Sequence, residues 1–192
     1  VTVLNVGDAG PEAVIRKALA IGANDAERVN AEAKDSFSVA REIAKVAHDG
    51  GYDLILTGKD SNDYNGGAVP GMVAQLLNIP FVNASVGLDV NGSEATVVRE
   101  IEGGKETISV KLPAVVAGQK GLVDEKDLII PNMRGIMSAR TKPLQVVEPS
   151  NSEVKVEAVS FDSVAPRAAV KLVSADNLDE LVRLLHEEAK VI

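Results

Sequence analysis

The sequence predicts an α/β fold, in which a Rossmann-like parallel sheet is flanked by helices and carries an antiparallel hairpin insertion and a C-terminal extension. Short apolar runs alternate with segments of helical apolar spacing through residues 1–79, a pattern typical of a parallel sheet covered by helices. Between residues 81 and 112, β-prone segments are separated by Asn91-Gly92 and Gly103-Gly104, and these dipeptides favour tight hairpin turns. After residue 118 clear periodicity is lost until a final helical segment.

The elements of residues 1–79 are placed by their boundary residues. Pro11 suits the first turn of a helix, and Asp35 or Ser36 suits the cap of the next helix, which Gly50-Gly51 ends. Pro70 is tolerated in the first turn of a third helix. We predict strands at 1–7, 28–30 and 52–58, and helices at 11–21, 36–49 and 67–77.

The remaining elements complete one domain and an arm. The buried run at 113–118 returns to the parallel sheet, so we assign 1–148 to a nucleotide-binding domain with a hairpin insertion at about 81–112. Residues 149–192 are expected to form an extended arm that ends in a helix capped by Asp176. The stretch from Gly118 to about Val164 reads as irregular but retains scattered apolar residues, unlike disordered tails, so we expect it to wrap another subunit.

The composition limits the classes of function. The net charge is −8, and the 192 residues include three Phe, two Tyr and no Trp, which argues against nucleic-acid binding through phosphates or base stacking. Cysteine is absent, which excludes disulfides, thiol redox chemistry and zinc-thiolate sites. No run approaches the roughly 20 apolar residues of a membrane span, and no signal peptide is recognisable. The sequence starts at Val1 inside a predicted strand, so we expect that a preceding segment has been lost.

The loop from Gly58 to Val69 is the candidate ligand site, because open α/β sheets bind ligands at the carboxyl ends of their strands. It matches neither a Walker A loop nor a Gly-x-Gly-x-x-Gly turn. Its glycines and the start of the next helix nevertheless offer backbone N–H groups to an anion. Asp60 and Asp63 would repel a phosphate but suit ribose hydroxyls. A simple strand-to-helix turn, in which the Asp side chains bond to their own backbone and Lys59 is a solvated surface charge, remains the alternative.

No catalytic constellation is visible in the sequence. There is no credible Ser/His/Asp arrangement, no paired His for a metal ion and no Gly-x-Ser-x-Gly elbow. The carboxylates lie mostly at helix starts, turns and exposed helical positions. These features predict a binding protein without catalytic residues of its own.

Four segments of the chain resemble a known family. They are VTVLNVG with IRKALAIGAN, DLILTGKDSNDYNGG, VVREIEGGKETISVKLPAVVAG, and RGIMSARTKPL. Through them the chain resembles the beta subunit of electron-transfer flavoproteins along its whole length. The resemblance implies an adenine-nucleotide-hydrolase-like α/β subunit of a heterodimer, whose alpha subunit holds most of the FAD site.

The resemblance also implies a nucleotide in this subunit. Ordinary members bind AMP here, largely as a structural ligand, and electron-bifurcating members bind FAD at the same place. Since the family's first strand and its nucleotide and flavin contacts precede Val1, the choice between AMP and FAD stays open. The positions that match the family's nucleotide contacts are Val6, Gly58, Lys59, Asp60, Ser61, Asn62, Asp63, Tyr64, Asn65, Gly66, Gly67, Ala68 and Val69.

A loop at about 119–140 matches the family's docking loop, which engages partner flavin dehydrogenases through an exposed hydrophobe. It is longer than usual and lacks the common Pro-Arg-Tyr, so Ile130 competes with Met133 as the anchor. Medium-sized apolar side chains beside basic residues would form a small adaptable patch there, although each could instead pack beneath the loop. The candidate docking residues are Ile130, Met133, Arg134, Ile136 and Met137.

The function that the resemblance implies is electron transfer from flavin dehydrogenases, such as acyl-CoA dehydrogenases, toward the quinone pool. The expected location is the cytoplasm of a bacterium or the mitochondrial matrix of a eukaryote. One alternative is a stand-alone adenine-nucleotide binder of the universal-stress-protein type, but Gly118 and Gly121 lack the Gly-Ser/Thr that should follow. The other alternative is an adenine-nucleotide hydrolase, for which no phosphate-cleaving motif is visible.

Overall fold

The computed structural model describes residues 1–150, 152–167 and 169–192. The chain divides into two compact units, Val1–Glu157 and Ala158–Ile192. The first unit contains the strands β1 (Thr2–Val6), β2 (Asp25–Val29), β3 (Leu54–Gly58), β4 (Phe81–Asn91), β5 (Glu94–Ile101), β6 (Gly104–Lys111), β7 (Ala114–Gly118) and β8 (Leu144–Val147). Its helices are α1 (Glu12–Ala20), α2 (Ser36–Gly50), α3 (Ala68–Leu77) and α4 (Met133–Ala139), with a 3₁₀ turn at Glu125–Asp127. The second unit contains α5 (Leu178–Arg183), which continues into a π-helical turn at Leu184–Glu188.

The predicted parallel sheet flanked by helices is confirmed, but its strands form two separate sheets. One sheet has the order β1-β2-β8 with all pairs parallel. The other has the order β3-β7-β4-β5-β6, in which β3, β7 and β4 are parallel. Strands β4, β5 and β6 form the predicted antiparallel insertion, with turns at Gly92 and Gly103, whose φ angles are positive.

Two of the buried clusters of the first unit lie where helices cover the sheets. Leu19 of α1 is fully buried in a cluster that joins α1, β2 and α4. Val73 of α3 and Val115 of β7 are fully buried in a second cluster, which α2 completes. The apolar stripes predicted from helical spacing therefore face the sheets in part, as burial of nonpolar surface requires. Val14 and Ile21, which helical spacing groups with the apolar residues of α1, are exposed instead.

Two elements lie in the stretch that was predicted to be irregular. Helix α4 has seven residues and β8 has four, and segments this short carry too few apolar repeats to give a periodic signal. They are stabilised by tertiary contacts instead. Ala139 of α4 is buried against α1, and β8 pairs with β2 in the register Ala26↔Leu144. The prediction of an irregular stretch from 118 to 164 was therefore wrong for these residues.

Helix α2 is capped as predicted and also holds the segment that follows β8. The side chain of Asp35 accepts a hydrogen bond from the N–H of Ser38 at 2.7 Å, which makes Asp35 the N-cap. The same carboxylate accepts hydrogen bonds from the backbone N–H groups of Lys155 and Val156, at 2.7 and 3.0 Å. In α5, by contrast, the cap is Asn177 rather than the predicted Asp176, because the Asn177 side chain accepts from the N–H of Glu180.

Candidate functional site

The loop between β3 and α3 lies at the carboxyl end of a parallel strand and is open to solvent. Its first N–H, on Lys59, donates to the carbonyl of Gly118 at 2.9 Å and so continues the pairing of β3 with β7. Residues 60–68 are exposed. The loop closes on itself because the N–H of Ser61 donates to the carbonyl of Gly66 at 3.1 Å, and the N–H of Gly66 donates to Ser61 Oγ at 3.3 Å.

The two acidic residues of the loop are already engaged within it. Asp63 accepts a hydrogen bond from the N–H of Tyr64 at 2.7 Å. The pKa of Asp63 is lowered, first by a hydrogen bond from the Ser61 side chain and then by the Tyr64 N–H. Asp60 pairs with the ammonium group of Lys59 at 3.6 Å. Asp63 therefore shapes the loop through its own backbone, as the turn alternative expects, whereas the charge of Asp60 is partly compensated by Lys59.

The start of α3 has no side-chain cap. Gly67 is the N-cap, and no side chain caps the helix, so the first N–H groups of the helix have no side-chain partner there. A β-carbon on Gly67 would lie 3.2 Å from the carbonyl oxygen of Lys59. A side chain at this position would therefore crowd the Lys59 carbonyl, and the helix dipole favours a negative charge at the start of α3.

Val6 lies at the carboxyl end of β1, as predicted, but in different surroundings. It lines a cavity of about 240 Å³ together with Asn30, Ser38 and Glu42. None of residues 58–69 is among the described residues that line this cavity. The loop residues from Gly58 to Val69 are contiguous, whereas Val6 is not brought into one cavity with them.

The candidate docking residues form an exposed apolar surface around α4. The exposed fractions are 81% for Ile130, 74% for Met133 and 56% for Met137. Ile136 and Arg134 are exposed as well. These five side chains are therefore exposed to solvent, and the alternative that each packs beneath the loop does not hold for them.

Helix α4 and the residues that follow it are fixed to α1 by hydrogen bonds. Arg16 of α1 donates to the carbonyls of Ala139 and Lys142, at 2.9 and 2.8 Å. Lys142 in turn donates to the carbonyls of Leu19 and Ala23, at 2.7 and 2.5 Å. Arg16 thus bonds to carbonyl groups at and after the end of α4, and Lys142, which follows α4, bonds to carbonyl groups near and after the end of α1. Positive charge is favoured at these helix ends.

Comparisons with known proteins agree with these features. The family described as the electron transfer flavoprotein domain matches residues 1–152. The electron transfer flavoprotein subunit beta of Bacillus subtilis is 33% identical over 206 residues, which cover 100% of this chain and 79% of the relative. The human protein of the same name is 32% identical over 200 residues, covering 100% of this chain and 76% of the relative. The chain belongs to the electron transfer flavoprotein beta-subunit family. A third relative with this name, from Syntrophomonas wolfei, is 34% identical, with 81% of this chain and 61% of the relative covered.

Membership of the electron transfer flavoprotein family decides between the alternatives raised by the sequence. A match along the whole chain supports the beta-subunit interpretation and removes the support for a universal-stress-protein relative or a nucleotide hydrolase. None of the helices in the described ranges is long and apolar enough to cross a bilayer. In the same residues, no group of three or more His, Asp and Glu side chains is placed to hold a metal ion.

Sequence reasoning missed three residues whose side chains join segments that are distant in the sequence. Arg16 and Lys142 join segments that lie more than 100 residues apart, and Glu42 accepts hydrogen bonds from Ser150 and Ser152. Burial raises the pKa of Glu42, but these hydrogen bonds outweigh burial and hold it below its usual value. Gly135 also helps to fix α4, because a β-carbon there would clash with the carbonyl of Ala20. The sequence pointed to this residue only through the Arg-Gly-Ile-Met segment that carries the resemblance.

Proposed function

We propose that this chain is the beta subunit of a two-subunit electron carrier. The carrier takes electrons from flavin dehydrogenases, such as acyl-CoA dehydrogenases, and passes them toward the quinone pool. The observation that carries the proposal is the match along the whole chain to proteins named electron transfer flavoprotein subunit beta. That name implies an alpha subunit, which in this proposal holds most of the FAD site. FAD performs the redox step when bound, and this chain contributes binding and orientation.

The loop between β3 and α3 is the proposed nucleotide site of this subunit. Its supporting features are the glycines at 66 and 67, the start of α3 without a side-chain cap, and the cation of Lys59. In this proposal the N–H groups of Gly67, Ala68 and Val69 face the phosphate of AMP, a structural ligand. Since Asp63 is held by Ser61 and Tyr64, its role in this proposal is to shape the loop. A bifurcating carrier would hold FAD at the same place.

The proposed docking surface consists of Ile130, Met133, Arg134, Ile136 and Met137. Exposed apolar side chains on an ordered helix give a partner a compact contact. Met133 and Ile130 protrude furthest of the apolar members, with 74% and 81% of their surface exposed. The basic side chain of Arg134 lies beside them and favours an acidic partner surface.

Co-expression with an alpha subunit tests the proposal. We expect this chain to purify as a heterodimer that contains FAD and one further nucleotide, which is released by denaturation and counted as AMP or FAD. A monodisperse homodimer of this chain, without dependence on an alpha subunit, would contradict the two-subunit carrier. A heterodimer with FAD but no second nucleotide would contradict only the nucleotide site.

A further inference from the structure

The segment that follows β8 is fastened to α2 by a buried carboxylate. We call residues 149–157 the strap; they belong to the first unit and, where described, form neither helix nor strand. Glu42 of α2 is only 4% exposed. Its carboxylate accepts hydrogen bonds from the N–H of Ser150 at 3.0 Å and from the hydroxyls of Ser150 and Ser152, at 2.6 and 2.7 Å. These hydrogen bonds compensate the burial of the carboxylate, as a buried charge requires.

Asp35 fastens the other end of the strap. Its carboxylate accepts hydrogen bonds from the backbone N–H groups of Lys155 and Val156, at 2.7 and 3.0 Å, while it also caps α2. Since Glu42 holds the earlier residues of the strap, the strap runs along α2 toward the start of that helix. Its position on α2 is therefore fixed at both ends.

Polar contacts, rather than burial of apolar side chains, hold the strap. The strap residues 153–157 are all exposed, including Val154 and Val156. Burial raises the pKa of Glu42, but the hydrogen bonds from Ser150 and Ser152 outweigh it and lower the pKa below its usual value. A buried charge often stabilises a fold no more than an apolar residue of similar size, because removing it from water is costly. The contacts of Glu42 thus specify where the strap lies rather than add to the core.

The second unit, Ala158–Ile192, follows the strap directly. It exposes large apolar side chains before α5, among them Val159, Val164 and Leu172, which are 96%, 94% and 89% exposed. Free tails usually lack such side chains. In the proposed two-subunit carrier, this arm contacts the alpha subunit.

We propose that Glu42 is a positioning residue for assembly with the alpha subunit. By holding the strap on α2, it fixes the point at which the arm leaves the first unit. An arm whose starting point is fixed loses less conformational freedom on binding, and this raises the affinity between the subunits. The inference rests on the proposed two-subunit function, since it requires an alpha subunit for the arm to bind.

Glu42→Leu tests this role in the co-expressed heterodimer. Leucine suits a buried position of a helix and removes every acceptor that Glu42 offers to the strap. We expect the amide of Ser150 to exchange with solvent deuterium about tenfold faster or more, and the dissociation constant of the subunits to rise about tenfold. The amides of β2 should exchange as in the original chain, because the fold of the first unit is kept. A residue that only stabilised the fold would change the exchange of β2 as well.

Two further variants control the experiment. Glu12→Leu removes an exposed carboxylate from the first turn of α1 and should leave both the exchange at Ser150 and the dissociation constant unchanged. The double variant Ser150→Ala with Ser152→Ala removes the hydroxyl donors of the strap. It should raise the dissociation constant by less than Glu42→Leu does, because the N–H of Ser150 still donates. This double variant decides the question if Glu42→Leu fails to fold.

Three outcomes would overturn the inference. Unchanged exchange at Ser150 in Glu42→Leu would show that Glu42 does not hold the strap. Faster exchange there with an unchanged dissociation constant would show that the strap does not position the arm. Faster exchange in β2 as well would assign the weaker assembly to a loss of the fold. Failure of the original chain to bind an alpha subunit would instead remove the proposed two-subunit function, and this inference with it.

Discussion

Gly135 of α4 packs so closely against the carbonyl group of Ala20, at the end of α1, that no room remains for a β-carbon. This contact, with the hydrogen bonds of Arg16 and Lys142 beside it, holds the proposed docking helix on α1. The position of the proposed docking surface therefore depends on Gly135, Arg16 and Lys142, which are not among its proposed members.

Gly135→Ala should displace α4 and lower the free energy of unfolding by about 1–3 kcal/mol, the usual cost of overpacking. Urea unfolding of the heterodimer measures this. Gly104→Ala is the matched control, because a β-carbon there meets no atom within 4 Å. Equal stability of the two variants would refute the close contact.

Lys142→Met should destabilise the protein by about 1–3 kcal/mol, because it keeps most of the length of the side chain but removes the donor from the carbonyls of Leu19 and Ala23. Thermal unfolding measures the change. Lys45→Met, at an exposed position of α2, should stay within about 0.5 kcal/mol of the original chain. A Lys142→Met variant as stable as this control would show that the hydrogen bonds contribute nothing.

Asp35 should make the stability depend on acid pH. Hydrogen bonds from Ser38, followed by those from the backbone of Lys155 and Val156, lower the pKa of Asp35 from 3.8 to about 2. A carboxyl group whose pKa is lower in the folded than in the unfolded protein stabilises the folded state. This stabilisation is complete above the unfolded-state pKa and is lost as the pH falls through the folded-state pKa. The free energy of unfolding should therefore fall from about pH 4 to about pH 2 more steeply in the original chain than in Asp35→Asn. Asp162→Asn, at an exposed position, is the control and should leave the pH dependence of the free energy of unfolding unchanged. An Asp35→Asn variant with the same pH dependence as the original chain would contradict the role of Asp35.

Gly67→Val should weaken nucleotide retention by about tenfold, equivalent to about 1.4 kcal/mol. A β-carbon at this position would lie 3.2 Å from the Lys59 carbonyl, and the branched side chain would cover the N–H groups at the start of α3. The nucleotide content of the purified heterodimer is measured after denaturation, with Gly104→Val as the control. Unchanged content in Gly67→Val would place the nucleotide elsewhere.

Met133→Ala should slow electron transfer from a partner dehydrogenase by about fivefold, the effect of losing about 1 kcal/mol of contact. Since Met133 is 74% exposed, the folding of the heterodimer should be unaffected. Ile101→Ala removes a similarly apolar, exposed side chain from the hairpin and serves as the control for the transfer rate. An unchanged rate in Met133→Ala with a slower one in Ile130→Ala would move the anchor to Ile130, and unchanged rates in both would contradict the docking surface.

The elements around the candidate ligand loop were predictable because their signals are local. The apolar run of β3, the glycines at 66 and 67, and the helical spacing of α3 lie within one short segment, and the structure confirms the strand, the loop and the helix. The capping of α2 by Asp35 was predictable for the same reason. The internal bonding of Asp63 was only one of two alternatives, because a loop conformation is needed to choose between them.

The support of the docking helix could not be predicted in this way. Arg16 and Lys142 act across more than 100 residues of sequence, and α4 is too short to give a periodic signal. Only the packing of α4 on α1 brings Arg16 close to the carbonyls at the end of α4, and Lys142 close to those at the end of α1. The nucleotide and docking assignments themselves stay predictions that the experiments above test.

By itself, the sequence determined the alternation of strands and helices, the hairpin insertion and the electron transfer flavoprotein family, because each depends on residue types at fixed spacing. Only the tertiary structure decided which strands pair. It separated β1 from β3 and left both edges facing one groove beneath α2. The physical reason is that strands pair through backbone N–H and C=O groups. Every residue except proline carries both groups, so the sequence of an apolar strand does not specify which other strand it pairs with.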